Sequence, residues 1–374
     1  MTTPDYSTLD EALELLRPFG AELHNGNSNH APMAAEAMCA LGRPDAVLDW
    51  VDRYRRNLEP ARTPHELIKP AEWRNALGHQ DRIADWRVFL ENELAEHPWP
   101  EVLDRWVARL APGIIAAAAH GAIRTAHAAR SLAVQKSDLR LRELAGGLAY
   151  WAAEYQTLPG GPDSASQATT SGSVANSASG GAASSAQRPV MSPARAIEAI
   201  ELLPLERRCV LTSLTGALPA LDTFDPFRDV ISTIEVPRDP AAILSQLTNG
   251  FADVLLANAT SPLLTIAFVH CVTALYAVRN LAPHLSTETT QSAVRYGWQA
   301  AAALYTTIGQ RPHPVEEHDP PKFALEDLVD RALRSRDEHA IKYTEACLAE
   351  YSLAPSPIYL RAADHAIRLL TLGN

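Results

Sequence analysis

The sequence predicts an all-α fold of about a dozen or more helices, and three observations carry that expectation. Apolar residues recur at helical spacing, as at Leu9, Leu13 and Leu16 with acids on the opposite face. β-branched residues rarely alternate over more than four positions, so strand signals are nearly absent. Alanine, leucine, arginine and glutamate, all strong helix formers, dominate the composition.

Taken in order, the first helix is expected over Leu9–Arg17. A turn-rich polar run from Asn25 to Asn29 then leads His30 into a helix over Ala31–Leu41. Helices follow over Ala46–Arg56, Trp86–Glu96, Pro100–Leu110 and Gly113–Leu132, the last opening on an alanine-rich run. Another covers Asp138–Gln156. Pro159 to Gln187 is Ser, Ala, Gly and Thr with almost no apolar bulk, so burial cannot repay its ordering entropy. Residues 159–188 are therefore expected to be a disordered surface loop. Beyond it come Ser192–Glu201, Ala241–Ala257, Leu263–Leu281, Thr287–Ile308, Ala324–Ser335, Glu338–Tyr351 and Ile358–Leu370. One body spanning 1–374 is favoured, with a division into two domains near 160–188 as the alternative. No repeat of 30 to 45 residues is visible, so a regular helical solenoid lacks its signature.

The formal net charge of -11 would repel phosphate backbones and anionic lipid, which sets nucleic-acid and membrane partners aside. Nearly all positive charge is arginine. The lysines are Lys69, Lys136, Lys322 and Lys342, so a buried lysine would be informative. Cys39, Cys209, Cys271 and Cys347 lie far apart without a CxxC pair, against a disulfide framework or zinc knuckle and in favour of a reducing compartment. Met1 to Asp10 is polar and acidic with no secretory pattern, and a cytosolic location is expected. The apolar stretches Ala111–Ala119 and Leu263–Leu275 are shorter than the roughly 20 residues of a membrane span and read as buried helices.

Several chemistries are excluded by spacing. No Glu precedes a histidine by three positions, so the paired Glu-x-x-His of ferritin-like di-iron bundles is missing, as is His-Glu-x-x-His. His318-Asp319 is followed by two prolines that would break a metal-binding helix there. No Walker loop, GxGxxG turn or GxSxG elbow occurs.

Among the histidines, His65, His97, His284, His313 and His318 sit in polar or proline-rich surroundings that solvent explains. Five others are harder to explain. His30 stands at a helix entrance, where a cap is the plain reading. His120, Arg124 and His127 share one helix face, either as a buried hydrogen-bond network or as ligand and supporting residues. His120 and His127 are about 10 Å apart along the axis, awkward for one ion. His270 lies in an apolar helix and needs a hydrogen bond or a metal, with Thr273 and Arg279 as further polar points. His339 and Lys342 project from one side of a helix, where Lys342 could equally pair with Glu338 or Glu345 in water.

Four segments together resemble the questin oxidase-like family: Asn29-His30-Ala31-Pro32-Met33, the run from His120 to His127, Phe268 to Thr273, and Asp337 to Lys342. Fungal members open anthraquinone polyketides oxidatively with molecular oxygen, in some cases with NADPH, in a Baeyer–Villiger-like outcome without flavin. Some bind iron through histidines and a carboxylated lysine. The resemblance implies a non-haem Fe(II) oxygenase acting on an aromatic polyketide-like substrate, with metal ligands among His30, His120, His270 and His339, Lys342 as the carbamate, and His127 in reserve. Such a lysine, desolvated in a helical core, loses its proton more readily and can add carbon dioxide. Imidazole and hard oxygen ligands suit iron, zinc or nickel, so iron comes from the resemblance alone. Where the fungal helix has a second histidine four residues after the first, this sequence carries Arg124. Arg124 cannot ligate iron but could hold a phenolate, carboxylate or peroxide anion. Arg124 and His127 are thus the catalytic candidates, and Arg124, Arg130 and Thr273 the substrate-binding ones. The rivals are a zinc or nickel hydrolase using the same cage and a metal-free helical protein that binds a ligand or partner.

Overall fold

A computed structural model describes residues 3–161, 189–208, 214–310 and 324–371. Most of the expected loop over 159–188 lies outside the described residues, as do Cys209, His313, His318 and Lys322. The fold is all-α. Its first half holds α1 (Leu9–Leu16), α2 (Ala31–Ala40), α3 (Pro44–Tyr54), α4 (Ile83–Glu96), α5 (Trp99–Leu110), α6 (His120–Val134) and α7 (Asp138–Ala153). The second holds α8 (Pro193–Glu198), α9 (Asp225–Arg228), α10 (Ala241–Asn258), α11 (Pro262–Leu281), α12 (Thr287–Ile308), α13 (Leu325–Ser335), α14 (Glu338–Leu353) and α15 (Pro357–Thr371). One strand pair escaped the sequence: β1 (Phe19–Leu23) runs antiparallel to β2 (Leu58–Pro60).

Local chemistry sets the helix starts. Ser137, Ser261 and Ser286 each accept a backbone N–H of the first turn, and Asp337 accepts two, from His339 and Ala340. Pro262 fixes the first residue of α11 without losing a needed donor. The stretch Pro262–His284 is long and apolar enough to cross a membrane, yet 78% of its apolar window is buried inside the protein. It is a core helix, packed against α6, α10, α12 and α14.

The expected helix over Gly113–Leu132 needs correction. Short turns occupy Ala111–Gly113 and Ala116–Ala119, and regular helix begins only at His120. Ala117, Ala118 and Ala119 all take left-handed φ values, 47°, 56° and 68°. Such a conformation costs an L-residue about 1–2 kcal/mol, so tertiary contacts, not propensity, impose the break. Beyond it α6 and α7 press together at glycine. A Cβ on Gly121 would lie 2.4 Å from Trp151 Cα.

One large apolar core draws residues from Met33 to Leu370, and a smaller cluster joins α1, α2 and α3. Around the larger core's polar centre, α2, α6, α11 and α14 pack in a ring, each against the next.

Candidate metal centre

Each helix of that ring delivers its histidine by a different device. Asn29 fixes the entrance to α2: its backbone N–H donates to Ala21 O at 2.7 Å, its amide to Gly20 O at 2.8 Å, and its side-chain oxygen accepts from Ala31 N at 2.9 Å. His30 follows as the residue before the helix. The left-handed alanines end on His120, the first residue of α6, whose Nδ1 bonds the carbonyl of Ala117. His270 lies midway along α11 and bonds Ile266 O through Nδ1 at 2.6 Å. The Asp337 cap starts α14, which carries His339 and, one turn on, Lys342.

These five side chains meet. His30, His120 and His339 offer ligand atoms all within 4.8 Å of one another. His120 Nε2 and His270 Nε2 are 3.0 Å apart, and Lys342 Nζ stands 3.3 Å from His30 Nδ1. All five are buried, Lys342 at 2% exposure, which removes the reading of it as a lysine paired in water.

The bond partners assign the tautomers of His120 and His270. A carbonyl only accepts, so each Nδ1 carries the proton, and each Nε2 then bears a lone pair in the neutral ring. Burial and the Lys342 charge push His270 down to about 3. Burial drives His30, His120 and His339 well below the ordinary imidazole value, with Lys342 and the neighbouring rings adding to it. Two neutral imidazoles therefore aim lone pairs at each other with no proton between them. Two nitrogens bound about 2.1 Å from one ion lie roughly 3.0–3.4 Å apart, so this spacing fits a shared cation. Burial lowers Lys342 to about 8, against the pull of Glu338 and Asp337.

Helix ends add to the field. α2, α6 and α14 all begin at this cluster, and their positive N-terminal ends favour negative charge there. Glu338 Oε1 lies 3.8 Å from both His30 Nδ1 and His339 Nδ1. Burial and Asp337 raise its carboxyl to about 7.

The other candidates lie elsewhere. His127 Nδ1 meets Glu36 Oε2 at 2.5 Å, in a second polar layer further along the same four helices. In that layer Arg130 bonds both oxygens of Glu36, and its Nη1 reaches Tyr276 Oη and Glu345 Oε1, each at 2.6 Å. Tyr6 Oη donates to Glu36 Oε1 at 2.7 Å, and Tyr276 Oη donates to Glu345 Oε1 at 2.8 Å. Arg124 is held by both oxygens of Glu143, at 2.5 and 2.8 Å. Thr273 donates its hydroxyl to Val269 O of its own helix at 3.0 Å.

Glu36 was missed as a polar anchor, although a lone acid in the alanine-rich run from Ala31 to Ala40 was a visible signal. Tyr54, which approaches Glu338 and accepts the His30 N–H at 3.4 Å, gave none. The questin oxidase-like family model matches residues 27–347, a span that includes His30, His120, His270, His339 and Lys342. No curated protein matches the chain. With most of its length matched, and with the resembling segments folded onto one centre, the chain belongs to the questin oxidase-like family.

Proposed function

We propose that this protein is a metal-dependent oxygenase in which His30, His120, His270, His339 and a carbamylated Lys342 hold iron, and which oxidises an aromatic polyketide-like substrate with molecular oxygen. Carbon–carbon cleavage or Baeyer–Villiger-like insertion is the class of reaction. The observation that carries this reading is the pair of Nε2 lone pairs facing each other at 3.0 Å among buried side chains. Iron, when bound, supplies the redox centre through which oxygen and an electron-rich ring exchange electrons.

The chain's own groups prepare that centre. Carbonyls of Ala117 and Ile266 hold the Nδ1 protons of His120 and His270 and turn their Nε2 atoms inward. With its pKa near 8, the Lys342 amine is partly neutral at physiological pH. The neutral nitrogen can then attack carbon dioxide, forming an N–C bond and releasing one proton. Glu338, whose charge acts on Lys342 and whose carboxyl lies near 7 with the side chain 22% exposed, is the group we propose to pass that proton to solvent. The three helix N-termini favour the resulting carbamate. Arg124, rather than the fully bonded Arg130, has a donor available for an anionic substrate group. The buried free thiols of Cys39, Cys271 and Cys347 support a reducing, cytosolic setting.

Elemental analysis of protein purified without chelator tests the reading. Near-stoichiometric iron, with oxygen uptake on aromatic polyketides assayed with and without NADPH, supports it. Zinc or nickel instead points to a hydrolase, and no metal even after reconstitution points to a ligand-binding protein. Lys342→Ala is expected to lose most of the metal and to regain part of it with added formate or acetate. Lys136→Ala, at an exposed position, changes neither. Unchanged metal content in Lys342→Ala overturns the carbamate.

A further inference from the structure

A cavity of about 180 Å³ opens against the β1–β2 pair. Its apolar wall includes Phe19, Ile83 and Ala149. Gly20 and Ala21, also in the wall, are the residues whose carbonyls bind Asn29, so a single residue separates this wall from His30. On the opposite side Arg124 reaches the cavity from one turn beyond His120, about 6 Å along α6.

The polar groups of the lining divide into two sets. Glu22 is bonded by Arg62 and Gln80, and Glu59 by His24 at 2.6 Å, so these acids are satisfied. Arg124 and Arg87 are not saturated. Glu143 fixes Nε and Nη2 of Arg124, and among the described residues Nη1 has no hydrogen-bond partner. Arg87 bonds no carboxylate: Glu91 stands 3.8 Å from its Nε, which is itself buried, while the side chain as a whole is 32% exposed and leaves its terminal nitrogens to face the cavity. Both arginines line this cavity and a smaller neighbour of about 50 Å³ that touches Asn29 and Pro32.

We infer that this cavity binds the substrate, and that the substrate is a one-ring aromatic acid whose carboxylate or phenolate is gripped by Arg124 and Arg87. The inference rests on the oxygenase reading above and narrows its substrate class. An apolar cavity of about 150 Å³ accepts benzene, so about 180 Å³ takes one ring with small substituents rather than three fused rings. Apolar walls receive the ring, and two guanidinium donors at one end fix the acid.

Calorimetric titration of benzoate and salicylate into metal-loaded and metal-free protein tests this. Both acids are expected to bind saturably, benzamide about tenfold more weakly or worse, and anthraquinone-2-carboxylate not at all. Arg87→Gln and the paired Arg124→Gln/Glu143→Gln variant, which leaves no carboxylate stranded, are each expected to weaken benzoate about 10- to 100-fold. Ala61→Trp, placed at the rim to fill the cavity, should abolish binding, and metal content should be unchanged in every variant. Equal benzoate affinity in the arginine variants, binding that survives Ala61→Trp, tighter binding of the three-ring acid, or no binding to the parent protein would each overturn the inference. Benzoate binding in a protein that takes up no metal would instead overturn the oxygenase reading and leave the cavity standing.

Discussion

Two polar layers, threaded by the same four helices, solve the problem of buried polarity in opposite ways. The first holds His30, His120, His270, His339 and Lys342. The second lies three to ten residues further along each helix and holds Glu36, His127, Arg130, Tyr276 and Glu345. In the second layer opposite charges meet, and Arg130 donates to two carboxylates and none of its nitrogens is idle. The first layer has four neutral rings, one amine, and lone pairs turned toward each other. Both are buried to a similar degree, so burial alone does not separate a structural layer from a binding one. Charge pairing does: the second layer sets Arg130 between two carboxylates, although Glu345 Oε2 is left buried without a hydrogen bond, whereas the first layer holds no such pair between its rings.

The largest expected effect tests the closed layer. Arg130→Met strands Glu36 and Glu345 in the core, which should cost about 3–5 kcal/mol in denaturant unfolding. The comparison holds if the remaining folded protein keeps its metal, measured by elemental analysis after gel filtration. Loss of metal from folded Arg130→Met would mean that the second layer positions the ligands of the first, and the two could no longer be treated as separate.

Acid sharpens the contrast. His270 has a folded pKa near 3, below its ordinary value of 6.5, so the folded state binds fewer protons than the unfolded chain between those values. Stability from the neutral rings is complete above about pH 6.5 and is lost as pH falls toward 3. Glu36, held near 2 by Arg130 and His127 despite burial, loses its contribution only as pH falls below 4.5 toward 2. Metal-free protein should therefore weaken first between pH 6.5 and 4.5, by about 1.4 kcal/mol per pH unit for each buried ring. Urea titrations at pH 7, 6 and 5 measure this, and His270→Gln should lower the slope by one proton's worth. A flat profile over that range would show that the rings titrate normally and are not held neutral.

Much of this was legible before any coordinates. Thr287–Ile308 begins and ends where its periodicity says, and the five ligand candidates that the family resemblance implied lie in one cluster. The second layer was less legible. Arg130 read as a substrate-binding arginine on α6, and only the packing of α2 and α14 against it reveals the two carboxylates that engage it. Arg124 likewise gave no hint of Glu143, 19 positions away on a neighbouring helix. Long-range ion pairs leave no periodic trace.

The same limit explains the break before α6. Four consecutive alanines before His120 vote locally for helix, as the equal run Ala300–Ala303 does within α12, yet Ala117, Ala118 and Ala119 are left-handed. Straight helix through them would carry the Ala117 carbonyl away from His120 Nδ1, so the strain is tied to aiming one ligand. Ala119→Gly and Ala126→Gly separate that strain from ordinary effects, because both remove a methyl that is 1% exposed and both loosen the unfolded chain. Only Ala119 has positive φ. Ala126→Gly should destabilise in the usual way, whereas Ala119→Gly should fall about 1 kcal/mol closer to the parent protein, or above it, in the same urea titration. Equal losses at the two positions would mean that the left-handed turn is unstrained, and that the aim of His120 is set from α11 and α14 rather than by the chain that precedes it.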